Sequence, residues 1–166
     1  NGTAEMEQIL RKAALANGRI EADRAEVRVT REGALPGSAD WTHQYGDIAN
    51  TVKSDERLVR LPMGLLWFGG NSNMDVLPRH GHGPSPQVIG GRLFIEGMHS
   101  LSARDVYTGR VLWKNEYPDL EGLGVYFDGT YTNTPLSTAY NQVHIPGANG
   151  RGVNYVATTE AVYLVI

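Results

Sequence analysis

Apolar positions recur along the chain with two different periods. Met6, Ile9, Leu10 and Ala13 follow the i, i+3, i+4, i+7 spacing of one helix face, which predicts a helix over about residues 4–16. Thr3 stands where an N-cap would, and Glu5 and Glu7 lie at the positive end of the dipole. Arg11 and Lys12 lie toward the negative end, and Asn17-Gly18 offers a left-handed stop. Glu26 to Arg31 then alternates polar and apolar, as a half-buried strand does. Gly33-Ala34-Leu35-Pro36-Gly37-Ser38 reads as a turn or linker, because Pro removes a donor and Gly relaxes the backbone. A boundary is therefore expected near 33–39.

Beyond it no helical stripe persists. Short apolar runs alternate with Gly, Pro, Asn and Asp: Leu65 to Phe68, Gln87 to Ile89, Arg92 to Glu96, Ser100 to Ala103, Val111 to Lys114, Tyr155 to Ala157 and Val162 to Val165. These are strand lengths. Gly90-Gly91 and Thr108-Gly109 sit between successive runs as hairpin turns do. The expected class is mainly β and antiparallel. Leu66-Trp67 and Leu112-Trp113 lie 46 residues apart, within the ~40–50 residue period of propeller blades. A second correspondence sets Gly91 to Ile95 against Gly152 to Val156 at a spacing of 61, the extra length falling in an inserted loop within 115–150.

Gly90 to Glu96 followed by Leu101 to Lys114 resembles the repeat of pyrroloquinoline-quinone-type β-propellers: a strand "GRLF", a strand "L-x-A-x-D", a "T-G" turn, then "V-L-W". In that arrangement Asp105 and Thr108 bond turn amides, and Trp113 wedges between adjacent blades. The resemblance implies a partial β-propeller of antiparallel four-stranded blades, WD40-like in architecture. Residues 39–166 would be its incomplete start. A short helix–strand segment, 1–33, would be the tail of a preceding α/β domain or a linker. Asp40-Trp41-Thr42-His43, Asn50 and Leu66 to Gly70 are similar to the propeller entry of large bacterial proteins, in which a methyltransferase-like domain precedes a quinoprotein-like propeller.

That resemblance implies a binding platform whose partners are the rest of its own propeller and a protein or small polar ligand. A periplasmic or other extracytoplasmic location is expected with it. The alternative it implies is a share in a quinone-dependent dehydrogenase, the family's enzymes holding pyrroloquinoline quinone (PQQ) with calcium in a central funnel. No Glu–Asn–Asp set of this chain can be placed on the family's funnel motif, so no catalytic residue is carried over.

Two stretches look chemical on their own residues. Between Asn71 and Pro84, His80 and His82 project to one side of an extended segment and suit two metal ligands. Asp75, and His43 or His99, would complete a zinc, iron or copper site. The same stretch also suits a Gly/Pro-rich loop whose imidazoles and Arg79 bond backbone carbonyls. Between Tyr126 and Pro135, Tyr126 and Tyr131 (with Tyr140 beyond) could stack on a flat ligand while Asp128 and Asn133 hydrogen-bond it. An ordered loop packing its own aromatics accounts for the same residues. Asp40 to His43 suits a closure device better than a site. No phosphate loop or Gly-x-Ser-x-Gly elbow occurs.

Composition narrows these readings. Of 166 residues, 41% are hydrophobic and 20% charged, enough to build a core. A net charge of −3 gives no reason to expect a nucleic-acid partner. The absence of cysteine excludes disulfides, thiolate metal sites and thiol nucleophiles. Residues 1–34 hold 12 charged side chains and 120–150 only two, Glu121 and Asp128, so different solvents, or at least different architectures, shaped these two stretches. No apolar run approaches the ~18 residues of a membrane span. With Asn1 first, no signal peptide in view and Ala161 to Ile166 reading as strand, a fragment of a longer polypeptide is expected.

Overall fold

The structure, a computed structural model, describes residues 2–69, 75–76, 85–97, 99–121 and 155–166. It is mainly β, with antiparallel sheets and one short helix, and it divides into Asn1–Gly37 and Ser38–Ile166. No helix among the described residues is long and apolar enough to cross a membrane.

The first unit holds α1 (Gly2–Lys12), β1 (Gly18–Ala22) and β2 (Val27–Arg31). α1 starts before Thr3 and ends sooner than its periodicity predicts. Ala14 and Asn17 take left-handed φ values of 47° and 56°, and the last bond tightens to Ala14 N–H on Arg11 O. Its apolar stripe is not buried either: Met6 and Ile9 are 50% and 56% exposed. Gly18 opens β1, which pairs antiparallel with β2 from Gly18↔Arg31 to Ala22↔Val27. Asp23 closes the hairpin, its Oδ1 accepting from Ala25 and Glu26 N–H at 2.7 and 2.8 Å. Those bonds hold its carboxyl below the usual carboxylate range.

The second unit is built around a four-stranded antiparallel meander of β3 (Gln87–Ile89), β4 (Arg92–Glu96), β5 (Ser100–Asp105) and β6 (Val111–Glu116). Gly90 and Gly91, with φ of 60° and 79°, form the β3–β4 turn, where both central residues must enter left-handed space. The ladders align Gln87, Phe94, Ala103 and Trp113 in one row across the sheet. Ala103 is the small member and is wholly buried, which lets the Phe94 and Trp113 rings approach to 6.2 Å above it. A bulge at Leu112 shifts the β5–β6 register beyond Ala103.

That row faces a hairpin of β7 (Tyr155–Ala157) and β8 (Val162–Leu164). Ile89, Phe94, Leu101, Ala103, Tyr155 and Ala157 form the core between the two sheets, with Trp113, Tyr117, Val162 and Leu164 packed against it. β5, at the sheet's centre, is buried along nearly its whole length, whereas β6, carrying Lys114 and Glu116, is the edge strand among the described residues.

Upstream residues cover other parts of the sheet. Trp41 bridges the outer edge of β3, exchanging both backbone bonds with Val88 at 2.8 Å, and Asp40 Oδ1 accepts from Gly90 N–H at the turn. Leu65 to Phe68, expected as a strand, joins no ladder among the described residues. Trp67 is instead committed to a side-chain contact. Its indole N–H donates to Val106 O at 2.8 Å, and its ring lies so close against Gly109 that a Cβ there would collide with Cε3.

The β5–β6 turn that receives the indole is fixed by Asp105. Its Oδ1 accepts from Tyr107 N–H, Thr108 N–H and Thr108 Oγ1–H at 3.0, 2.8 and 2.9 Å. Gly109 closes the turn at φ 70°. Gly109→Ala should therefore cost about 2–4 kcal/mol, combining left-handed strain with displacement of the ring. Urea denaturation followed by tryptophan fluorescence measures it, and an unchanged midpoint would refute the contact.

Candidate functional site

The aromatic row and the hairpin leave an open cleft of about 250 Å³ between them. Phe94, Leu101 and Trp113 of the meander form one wall and Val162 and Leu164 of β8 the other, with Tyr117 also lining the cleft. Arg92, Asn115 and Glu160 supply the polar rim. Arg92 Nη1 is already engaged, donating to Thr159 O at 3.2 Å, which ties β4 to the β7–β8 turn. The cleft exposes more polar than apolar surface, so its lining is mixed, with apolar walls and polar groups of both signs at the rim.

Two polar side chains position the hairpin. Gln87 projects from β3 onto β7, its Nε2 donating to Tyr155 O at 3.3 Å and its Oε1 accepting from Ala157 N–H at 3.1 Å. One side-chain amide thus mimics a strand edge and satisfies backbone groups that burial would otherwise leave unpaired. From the other sheet the Tyr155 hydroxyl reaches back to Phe94 O at 3.0 Å and Ser85 O at 3.2 Å. Burial, and secondarily the negative charge of Glu96, push the Tyr155 phenol far above its ordinary range.

On the opposite face of the meander, Lys114 Nζ pairs with Asp75 Oδ1 at 2.6 Å and Glu116 Oε1 at 2.9 Å. These bonds, Asp75 first, hold the ammonium above its usual range. Arg104 stands on that face with Ser100 and Ser102, only 2% exposed, and its Nε has no hydrogen-bond partner among the described residues. Nothing in the sequence singled Arg104 out, because a lone arginine in a strand carries no pattern of its own.

The sequence-predicted candidates fare unevenly. His80, His82, Arg79, Tyr126, Asp128, Tyr131, Asn133 and Tyr140 lie outside the described residues. Asp75, considered as an oxygen ligand, is engaged by Lys114. The His43 Nδ1 is 2.7 Å from Thr42 Oγ1, and the His99 carbonyl accepts from Tyr117 N–H at 2.6 Å. Among the described residues no three His, Asp or Glu side chains gather as a metal cluster. Asp47 serves a loop: its carboxylate accepts from the Thr51 hydroxyl, from Thr51 N–H at 3.1 Å and from Ala49 N–H at 2.9 Å. That loop holds its pKa down, the Thr51 hydroxyl foremost.

Gln87 and Tyr155 are the residues that pattern reading missed. Both sit in short strands where an apolar side chain would have fitted the alternation equally well. No family model matches the chain, and no curated protein and no solved structure matches it either.

The raised phenol pKa gives a signed expectation. Below about pH 10 both folded and unfolded phenols are neutral, and Tyr155 makes stability no more pH-dependent. Above that, the unfolded phenol ionises while the folded one keeps its proton, so stability falls with rising pH. Tyr155→Phe should cost about 1–2 kcal/mol near neutrality by leaving two carbonyls short of a donor. It should also flatten the alkaline loss of stability. Denaturation midpoints from neutrality to beyond pH 10 test both, and parallel curves for the two proteins would refute the assignment.

Proposed function

We propose that residues 38–166 belong to a β-propeller-type repeat array that works as a binding platform rather than as a catalyst. The β3–β6 meander would be one blade, and β7–β8 the first two strands of the next. One observation carries the reading: the Trp67 indole is seated on the Asp105–Gly109 turn, so a tryptophan from one repeat locks onto the turn of the following one. A row of such contacts holds successive sheets in fixed relation and leaves their connecting loops to meet a partner.

The use of polar side chains supports the same reading. Asp40, Asp105, Thr158, Gln87 and Tyr155 each hydrogen-bond backbone groups of turns and strands. Their chemistry is directed at rigidity. The loop candidates Tyr126, Asp128, Tyr131 and Asn133 are where a protein or small polar ligand would bind on this proposal. The preceding unit, 1–37, would then be the end of another domain.

Equilibrium dialysis against pyrroloquinoline quinone with millimolar calcium separates platform from dehydrogenase. The platform reading expects no retained quinone absorbance and no dye reduction with alcohols or sugars. Stoichiometric retention of the quinone, with dye-linked oxidation, would overturn it in favour of a PQQ-dependent oxidoreductase.

A further inference from the structure

The cleft between the meander and the β7–β8 hairpin carries two opposite charges that do not neutralise each other. Arg92 and Glu160 both line it, yet no ion pair joins them, and the Glu160 carboxylate has no hydrogen-bond partner among the described residues. The two stand at the same end. Arg92 Nη1 donates to Thr159 O, the neighbour of Glu160 in the β7–β8 turn, and the rest of its fork makes no bond among the described residues. The turn itself is already satisfied, because Thr158 Oγ1 accepts from Glu160 N–H at 3.2 Å and Ala161 N–H at 3.0 Å. Glu160 is thus fixed at the rim through its backbone, and its carboxylate is left over.

From that end the cleft runs along the strands. Its rows are Arg92↔Asp105, then Phe94, Ala103 and Trp113, then Leu101↔Asn115. Four residues of strand separate the first row from the last, about 13 Å. The middle row presents the tilted Phe94–Trp113 pair, 6.2 Å between centroids, with Val162 on the facing wall. At the last row Asn115 Nδ2 donates to the Tyr117 hydroxyl at 3.4 Å, and both side chains line the cleft. The surfaces therefore follow in a fixed order: two unpaired charges, a flat apolar slot, then neutral hydrogen-bonding groups.

That order selects a ligand class. A simple anion is attracted by Arg92 and repelled by Glu160, and a simple cation meets the reverse. A neutral saccharide covers both charges and answers neither. A zwitterion answers both, its carboxylate accepting from the free part of the Arg92 fork and its ammonium donating to Glu160. Charges held one carbon apart suit two side chains that meet at a single turn. The group attached to that carbon must be flat and apolar to lie beside two rings, and about 250 Å³ admits one such ring but no folded segment. We infer that the cleft binds a free α-amino acid with an aromatic side chain. Its ammonium lies at Glu160, its carboxylate at Arg92, and its ring between the Phe94–Trp113 pair and Val162. This site is distinct from the loop candidates Tyr126 to Asn133.

The test is an NMR titration of the isotope-labelled 166-residue chain with L-phenylalanine at neutral pH. The Trp113 indole N–H and Arg92 Nε–H signals, assigned through Trp113→Phe and Arg92→Lys, should shift saturably with a Kd below about 1 mM. The analogue 3-phenylpropionate lacks the ammonium and phenethylamine lacks the carboxylate, so each should bind at least about tenfold more weakly. Glu160→Gln, a change at an exposed side chain, should weaken L-phenylalanine about tenfold without weakening 3-phenylpropionate. A role of Glu160 in holding the hairpin would weaken both ligands alike. The inference is overturned by the absence of saturable shifts, by either analogue binding as tightly as the amino acid, or by an equal loss of both ligands in Glu160→Gln. D-glucose moving the same signals with comparable affinity would make the cleft a saccharide site and overturn it as well. Retention of quinone in the dialysis experiment would overturn the platform reading, while the phenylalanine titration alone decides the cleft.

Discussion

Two β-sheets can stack only if the backbone groups at their facing edges find partners, and in this protein a single glutamine answers that constraint. Gln87 leaves β3 and bonds both Tyr155 O and Ala157 N–H of β7. Tyr155 returns the support through Phe94 O. With those bonds made, Ile89, Phe94, Leu101 and Ala103 can be buried against Ala157 without leaving amides unpaired in an apolar setting. The hydrophobic contact stabilises the stack, while the two polar side chains fix its register.

The second structural device works on the opposite principle, shape rather than polarity. Ala103 is small enough for two rings to flank it, and Gly109 has no side chain to keep a third ring away. Either site filled with a larger residue would force neighbours apart. A bulky indole and a bare turn form a specific pair, because each is unusual and each is useful only with the other. Asp105 makes the pairing rigid by fixing the turn before the indole arrives.

These devices leave the described residues with rigid strands and fully engaged turn carboxylates, and with an open cleft at one side. The cleft rim carries Arg92, Asn115 and Glu160, and Arg92 is already tied to Thr159. On the proposed reading, chemistry or recognition would come from the loops that the sheets carry.

The sequence by itself determined the elements whose causes are local. Gly90-Gly91 set a tight hairpin, Asp105-x-x-Thr108-Gly109 set the next turn, and the short apolar runs between them became β3 to β6. Where a cause was distant the pattern was silent or misleading. The apolar stripe of α1 did not earn burial, and the helix stopped at Lys12 because Ala14 turned left-handed. Leu65 to Phe68 looks like a strand, but Trp67 spends itself on a carbonyl 39 residues away. Gln87, Tyr155 and buried Arg104 gave no signal, since their surroundings come from segments remote in the chain. Alternation and turn chemistry act between neighbours, whereas an edge to be satisfied or a ring to be seated exists only once the sheets have met.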